Sequence, residues 1–89
     1  IKGGIIAFTR YSAAKYGKNN IRINCISPGV VMGSKMQDKS NFIDGMKMNM
    51  LGRIAKPTEI AKPIKFLISQ ESSFITGQNI VVDGGWTNI

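Results

Sequence analysis

The chain predicts an α/β architecture that forms the end of a larger parallel sheet. Three observations carry this reading. Two short runs rich in β-branched residues, 21–26 and 78–83, have the length and composition of strands. One helical pattern precedes the first run and another lies between the two, the order of a right-handed βαβ crossover with parallel strands. Two such strands bury too little alone, because parallel sheets normally have several strands and cover on both faces.

Residues 2–17 read as a helix. Gly3 and Gly4 are poor helix formers, which suits tight packing or an element that starts earlier. Apolar residues then occur almost all round, from Ile5, Ile6 and Phe8 to Tyr11 and Tyr16, so this helix expects cover on more than one side. Gly17 stands where a C-cap glycine would, and Lys15 and Lys18 suit the negative end of the helix dipole.

The first strand, Ile21 to Ile26, alternates over its first five residues and is expected to stop at Ser27-Pro28-Gly29. Val30 and Val31 resume an extended stretch. Residues 34–52 are amphipathic and rich in methionine, and read as a loop with one or two short helices. Methionine adapts to irregular apolar contacts, so these side chains suit either a small core or a cover over an apolar substrate. Pro57-Thr58-Glu59 reads as a helix start, followed by the stripe Ile60, Ile64, Leu67 and Ile68. Pro63 lies inside that stripe, so the helix either kinks there or begins there. The second strand closes at Gly84-Gly85, with Trp86 packing beyond the turn.

Composition excludes several chemistries. The 89 residues include no His and one Cys. A Ser-His-Asp or Cys-His site cannot be built from this chain alone, and neither can an internal disulfide or a zinc-type ligand set. A chain of this size buries only about 60% of its unfolded surface and is marginal without a staple. Ile1 opens the sequence inside what reads as an ordered element, which suggests a fragment of a longer chain. Neither a signal peptide nor a membrane span is indicated, and the lone Cys25 fits a cytoplasmic setting. The formal charge of +7 raises the possibility of a nucleic-acid partner. Lys and Arg are spread along the chain without interleaved aromatics, however, so neither nucleic acid nor membrane is expected as a partner.

Five ordered blocks carry a resemblance. They are Ile1-Lys2-Gly3-Gly4-Ile5-Ile6-Ala7-Phe8-Thr9-Arg10, Asn20-Ile21-Arg22-Ile23-Asn24-Cys25-Ile26-Ser27-Pro28-Gly29-Val30-Val31, Leu51-Gly52-Arg53-Ile54-Ala55-Lys56-Pro57-Thr58-Glu59-Ile60-Ala61, Ser72-Ser73-Phe74-Ile75-Thr76-Gly77-Gln78, and Val81-Val82-Asp83-Gly84-Gly85. Their order and spacing resemble the C-terminal third of short-chain dehydrogenases/reductases, closest to the subgroup of 3-oxoacyl-carrier-protein reductases and glucose dehydrogenases. The resemblance implies that residues 1–89 are the C-terminal part of one Rossmann-type domain with a doubly wound parallel sheet. It also implies NAD or NADP as cofactor, a carbonyl or alcohol as small-molecule substrate, and a homo-oligomer, dimer or tetramer.

On this resemblance Lys2 falls on the Lys of the family's Tyr-x-x-x-Lys motif. An ammonium beside the Tyr hydroxyl favours the phenolate, and the family's Lys also hydrogen-bonds the nicotinamide ribose. The Tyr belongs four residues before Lys2, and no Gly-rich phosphate turn occurs in these residues, so the 89-residue chain alone is expected to be inactive.

Pro28, Gly29, Val30 and Val31 match the family's backbone clamp on the nicotinamide carboxamide, with Gly29 allowing the cofactor close approach and Val31 contacting it most directly. Many relatives carry Thr where Gly33 stands, and Ser34 supplies a hydroxyl one residue later. Met36, Phe42 and Met46 fall in the variable substrate loop, about 32–52. Asp83-Gly84-Gly85 reads as a turn, Arg22 and Asn24 as strand or interface polar groups, and Cys25 as a small buried hydrophobe. A non-catalytic interaction protein of the same fold is the first alternative, and a basic nucleic-acid-binding module the second.

Overall fold

The computed structural model describes residues 2–31 and 49–88. They form helix α1 (Lys2–Tyr16), strand β1 (Cys25–Pro28), helix α2 (Pro57–Leu67) and strand β2 (Asn79–Val82), with 3-10 turns at Gly17–Asn19, Gln70–Ser72 and Trp86–Asn88. The strands pair as a two-stranded sheet. The Cys25 N–H donates to the Gln78 carbonyl at 2.9 Å and the Gly29 N–H to the Val82 carbonyl at 3.0 Å. Both partners advance by four residues in the same direction, so the strands are parallel. The chain divides into two compact units, Ile1–Ser27 with Ile64–Ile80, and Pro28–Pro63 with Val81–Ile89.

In the first unit α1 matches its expected span, but its end does not. Gly17 lies in the 3-10 turn, and Asn20 is the residue with left-handed backbone, φ 62°. The Ile21 N–H returns to the Tyr16 carbonyl and the Asn20 N–H to that of Gly17. These two bonds make a Schellman cap with Asn in the position usually held by Gly. Among the described residues nothing lies within 4 Å of a Cβ added at Gly3 or Gly4, so none of them packs tightly there. Thr9, Ser12 and Ala13 of α1 are buried, whereas Ile5, Phe8 and Tyr11 are exposed. Among the described residues nothing covers these three side chains.

Strand β1 starts four residues later than the alternation predicts and runs through Pro28. From Ile21 to Asn24 the facing chain is not yet a strand, and side chains take the ladder's place. The Ile23 N–H donates to Thr76 Oγ1, and Asn24 bridges the Ile75 carbonyl and the Gln78 N–H. Pro28 is tolerated because the alternate residues Cys25 and Gly29 direct their N–H groups at β2, which leaves position 28 facing the other edge. Arg22 holds this region together. Its guanidinium donates to the carbonyls of Leu67, Ser69 and Ile75 and to Ser72 Oγ, all at 3.0–3.1 Å. A cation thus meets the carbonyl end of α2, where the helix dipole favours it. Ser72, 1% exposed, passes its own hydroxyl to the Leu67 carbonyl.

In the second unit α2 begins at Pro57 and continues past Pro63, so the proline lies within the helix rather than starting it. The segment 49–52, expected to be loop or helix, is a turn: the Gly52 N–H donates to the Asn49 carbonyl and to its Oδ1. The remainder of the expected 34–52 region lies outside the described residues. Strand β2 is shorter than expected by one residue at each end. Beyond it Gly84 and Gly85 take φ of +65° and +91°. The Asp83 carboxylate accepts the N–H groups of Thr87 and Gly85, which hold it below the usual carboxylate range. Asp83 is therefore a turn residue, as the sequence suggests. Ile54 is the buried apolar residue of this unit among those described.

Candidate functional site

Lys2 is the first residue of α1 and is exposed. It belongs to the first unit, whereas Pro28, Gly29, Val30 and Val31 belong to the second. Ser34, Met36, Phe42 and Met46 lie outside the described residues, as does most of the segment 32–52.

The three described residues after β1, Gly29 to Val31, are held from both sides. The Gly29 N–H donates to Val82, on the β2 side. The Val30 carbonyl points the opposite way and accepts the Ala55 N–H at 3.1 Å, closing a parallel bridge between Val31 and Ala55. Backbone polar groups alternate along an extended chain, so the N–H and C=O of Val31 point back toward the β2 side. The ladder has ended there. The chain turns away at Asp83, and the Gly84 carbonyl is taken by the N–H groups of Met50 and Leu51. Among the described residues the Val31 N–H and C=O have no hydrogen-bond partner.

A donor and an acceptor side by side at the C-terminal end of a parallel strand fit a ligand group that carries both, and a primary carboxamide does. The carboxyl ends of strands in α/β sheets are where such ligands bind. The residues thus fit the nicotinamide end of a dinucleotide.

Gly29 has a structural reason that the sequence did not suggest. A Cβ there would lie 2.9 Å from both Cα and Cβ of Asp83. The glycine is required by the close approach of the chain's own backbone, and that contact suffices without a ligand. Cys25 is half-buried, and its Sγ donates to Asn79 Oδ1 at 3.4 Å, an acceptor it shares with Ser27 Oγ at 2.6 Å. It is less enclosed than a buried hydrophobe.

Sequence reasoning did not single out the Arg53–Glu59 pair. The guanidinium meets the carboxylate with two parallel bonds of 2.7 and 2.6 Å, and Glu59 Oε1 also accepts the Lys56 N–H. The bond from Arg53 is the main reason, and that from the Lys56 N–H the next, that the Glu59 carboxyl is held down to about 2; the Arg53 guanidinium is pushed up in turn. The readable signal was an acid in the first turn of α2 with a cation six residues upstream. Among the described residues no helix is long and apolar enough to cross a membrane.

The family model described as Enoyl-(Acyl carrier protein) reductase matches residues 1–87. The 3-oxoacyl-[acyl-carrier-protein] reductase of Chlamydia trachomatis is 44% identical over 89 residues, covering 94% of this chain and 35% of its own length. The 7alpha-hydroxysteroid dehydrogenase of Bacteroides fragilis is 38% identical over 91 residues, 97% of this chain and 34% of its own. A solved 4-hydroxyisoleucine dehydrogenase complexed with NADH superposes with a TM-score of 0.91 at 37% identity, over 99% of this chain and 38% of that one. This chain thus spans about a third of the length of the relatives it matches. Family match, relatives and neighbouring structures agree, and the chain belongs to the short-chain dehydrogenase/reductase family, with the Rossmann-type α/β fold of that family.

Proposed function

We propose that this chain is the nicotinamide side of an NAD- or NADP-dependent oxidoreductase that interconverts a carbonyl and an alcohol. The observation that supports it best is the N–H and C=O of Val31, which have no partner among the described residues where the ladder ends. Relatives named for 3-oxoacyl, 7alpha-hydroxysteroid and cyclohexanol substrates have in common a ketone or secondary alcohol. Structures of relatives contain NADH or NAD.

When bound, the cofactor would supply or accept the hydride through its nicotinamide. The backbone of Val31 holds its carboxamide and so selects which ring face meets the substrate. The Lys2 ammonium stabilises the phenolate of a Tyr four residues upstream, which gives its proton to the carbonyl in reduction and takes it back in oxidation. Met36, Phe42 and Met46 contact the substrate on the reading that the family resemblance supplies. The assembly is a dimer or tetramer, for which the exposed Ile5, Phe8 and Tyr11 of α1 offer an apolar face. The 89-residue chain expressed alone neither binds NADH tightly nor turns over substrate, since the Tyr and the phosphate-binding turn are not among its residues.

The test is steady-state reduction of a ketone panel by the full-length protein with NADH and NADPH. Wild type is expected to turn over, and Lys2→Ala to lose about a hundredfold in kcat, within the range for a general acid-base contribution. Near-normal kinetics in Lys2→Ala, or no cofactor oxidation by wild type, rejects the reading.

A further inference from the structure

We propose that Arg53 and Glu59 are positioning residues for the nicotinamide: their paired side chains fix the strip 53–56, which holds the Val30 carbonyl and thereby aims the backbone of Val31. The proposal rests on the function proposed above.

The strip is tied at both ends. At one end Asn49 Nδ2 donates to the Arg53 carbonyl at 2.8 Å. At the other, the Lys56 N–H donates to Glu59 Oε1 at 2.9 Å and the Glu59 N–H returns to the Lys56 carbonyl at 2.9 Å, so Glu59 caps α2 reciprocally with Lys56. The Arg53 guanidinium then spans the strip and meets the same carboxylate with both nitrogens. Between the ties, Ile54 is buried and the Ala55 N–H meets Val30. A shift of the strip therefore moves the Val30 peptide, and Val31 is the next residue along.

Helix capping alone does not require Arg53. Glu59 accepts the Lys56 N–H directly, in a bond of its own. The guanidinium and carboxylate are 49% and 35% exposed, and pairs so placed add little to global stability. The bidentate fork does restrict direction, because both groups are planar and accept one relative orientation. Its effect falls on where the strip sits, not on whether the protein folds.

The experiment compares ligands in the full-length protein. NADH is paired with ADP-ribose, or NADPH with 2′-phospho-ADP-ribose, whichever pair wild type binds. The two members of a pair differ only by the nicotinamide. Glu59→Gln keeps an acceptor for Lys56 and removes the charge; Arg53→Met removes the fork.

Each variant is expected to weaken the nicotinamide ligand about tenfold, the scale of a modest misplacement. The nicotinamide-free ligand should stay within about twofold and Tm within about 3 °C, as for an exposed pair. The double variant should be no worse than either single one, because the two changes delete the same contact. Should either variant fail to fold, Arg53→Lys, which keeps the charge but not the fork, is expected to show an intermediate ratio. An unchanged ratio, a parallel loss of both ligands, or additive single effects overturns the positioning role. Wild type that binds neither ligand overturns the cofactor reading beneath it.

Discussion

Gly29 lies against Asp83 so closely that a methyl group added at Gly29 would reach 2.9 Å from the Asp83 Cα. The contact joins the residue that ends the β1 ladder to the residue that begins the turn after β2. It also explains the residue choice: Asp83 fixes its turn through the N–H groups of Gly85 and Thr87, so the turn cannot easily yield.

Gly29→Ala is therefore expected to overpack this contact and destabilise the protein by about 1–3 kcal/mol, the usual range for a forced insertion. Denaturant melts of the full-length protein check it. An unchanged midpoint would mean that the turn shifts freely.

Arg22 gathers three carbonyls and a nearly enclosed Ser72 hydroxyl. Arg22→Met keeps the aliphatic stem and leaves those acceptors without their donor. A loss of about 3 kcal/mol is expected, since hydrogen bonds to a charged group each contribute about 1.5–3 kcal/mol and do not simply add. Arg22→Lys should recover only part, because a single ammonium cannot reach acceptors spread across the guanidinium fork. Full stability of Arg22→Met would show that water replaces the side chain.

The Glu59 carboxyl is held down to about 2 from its ordinary 4.5, chiefly by Arg53. A carboxyl whose value is lowered on folding stabilises the protein above its unfolded value and loses that contribution as pH falls through the folded one. The difference in Tm between wild type and Glu59→Gln should therefore hold from neutral pH to about 4.5 and shrink as pH approaches 2. Thermal melts between pH 7 and 2.5 measure it. A difference constant throughout would show that the charge is not what Glu59 contributes.

How far the sequence carried these conclusions differs by element. The span of α1 and the start of α2 at Pro57 were legible, because helical periodicity and N-terminal signals are local. The ends were less so. Asn20 took the left-handed position in place of Gly17 because the chain tightened into a 3-10 turn first. Strand β1 began late because Asn24 and Thr76 side chains replaced the ladder, and such a substitution depends on a segment some fifty residues away. At the site, motif position singled out Val31, but only the Val31–Ala55 bridge tells which way its polar groups point. The contact of Gly29 with Asp83 could not be read, since Asp83 is distant in sequence and adjacent in space.

The proposed function turns on the Val31 backbone holding the nicotinamide. Val31→Pro removes the N–H while leaving the rest of the segment's composition intact. The direct measurement is calorimetric titration of the full-length wild type and Val31→Pro with NADH and with ADP-ribose, or with the 2′-phosphorylated pair. Val31→Pro is expected to bind the nicotinamide-free ligand as wild type does and to lose the extra affinity that the nicotinamide confers. Equal binding of NADH by wild type and Val31→Pro, with ADP-ribose binding intact in both, would contradict it.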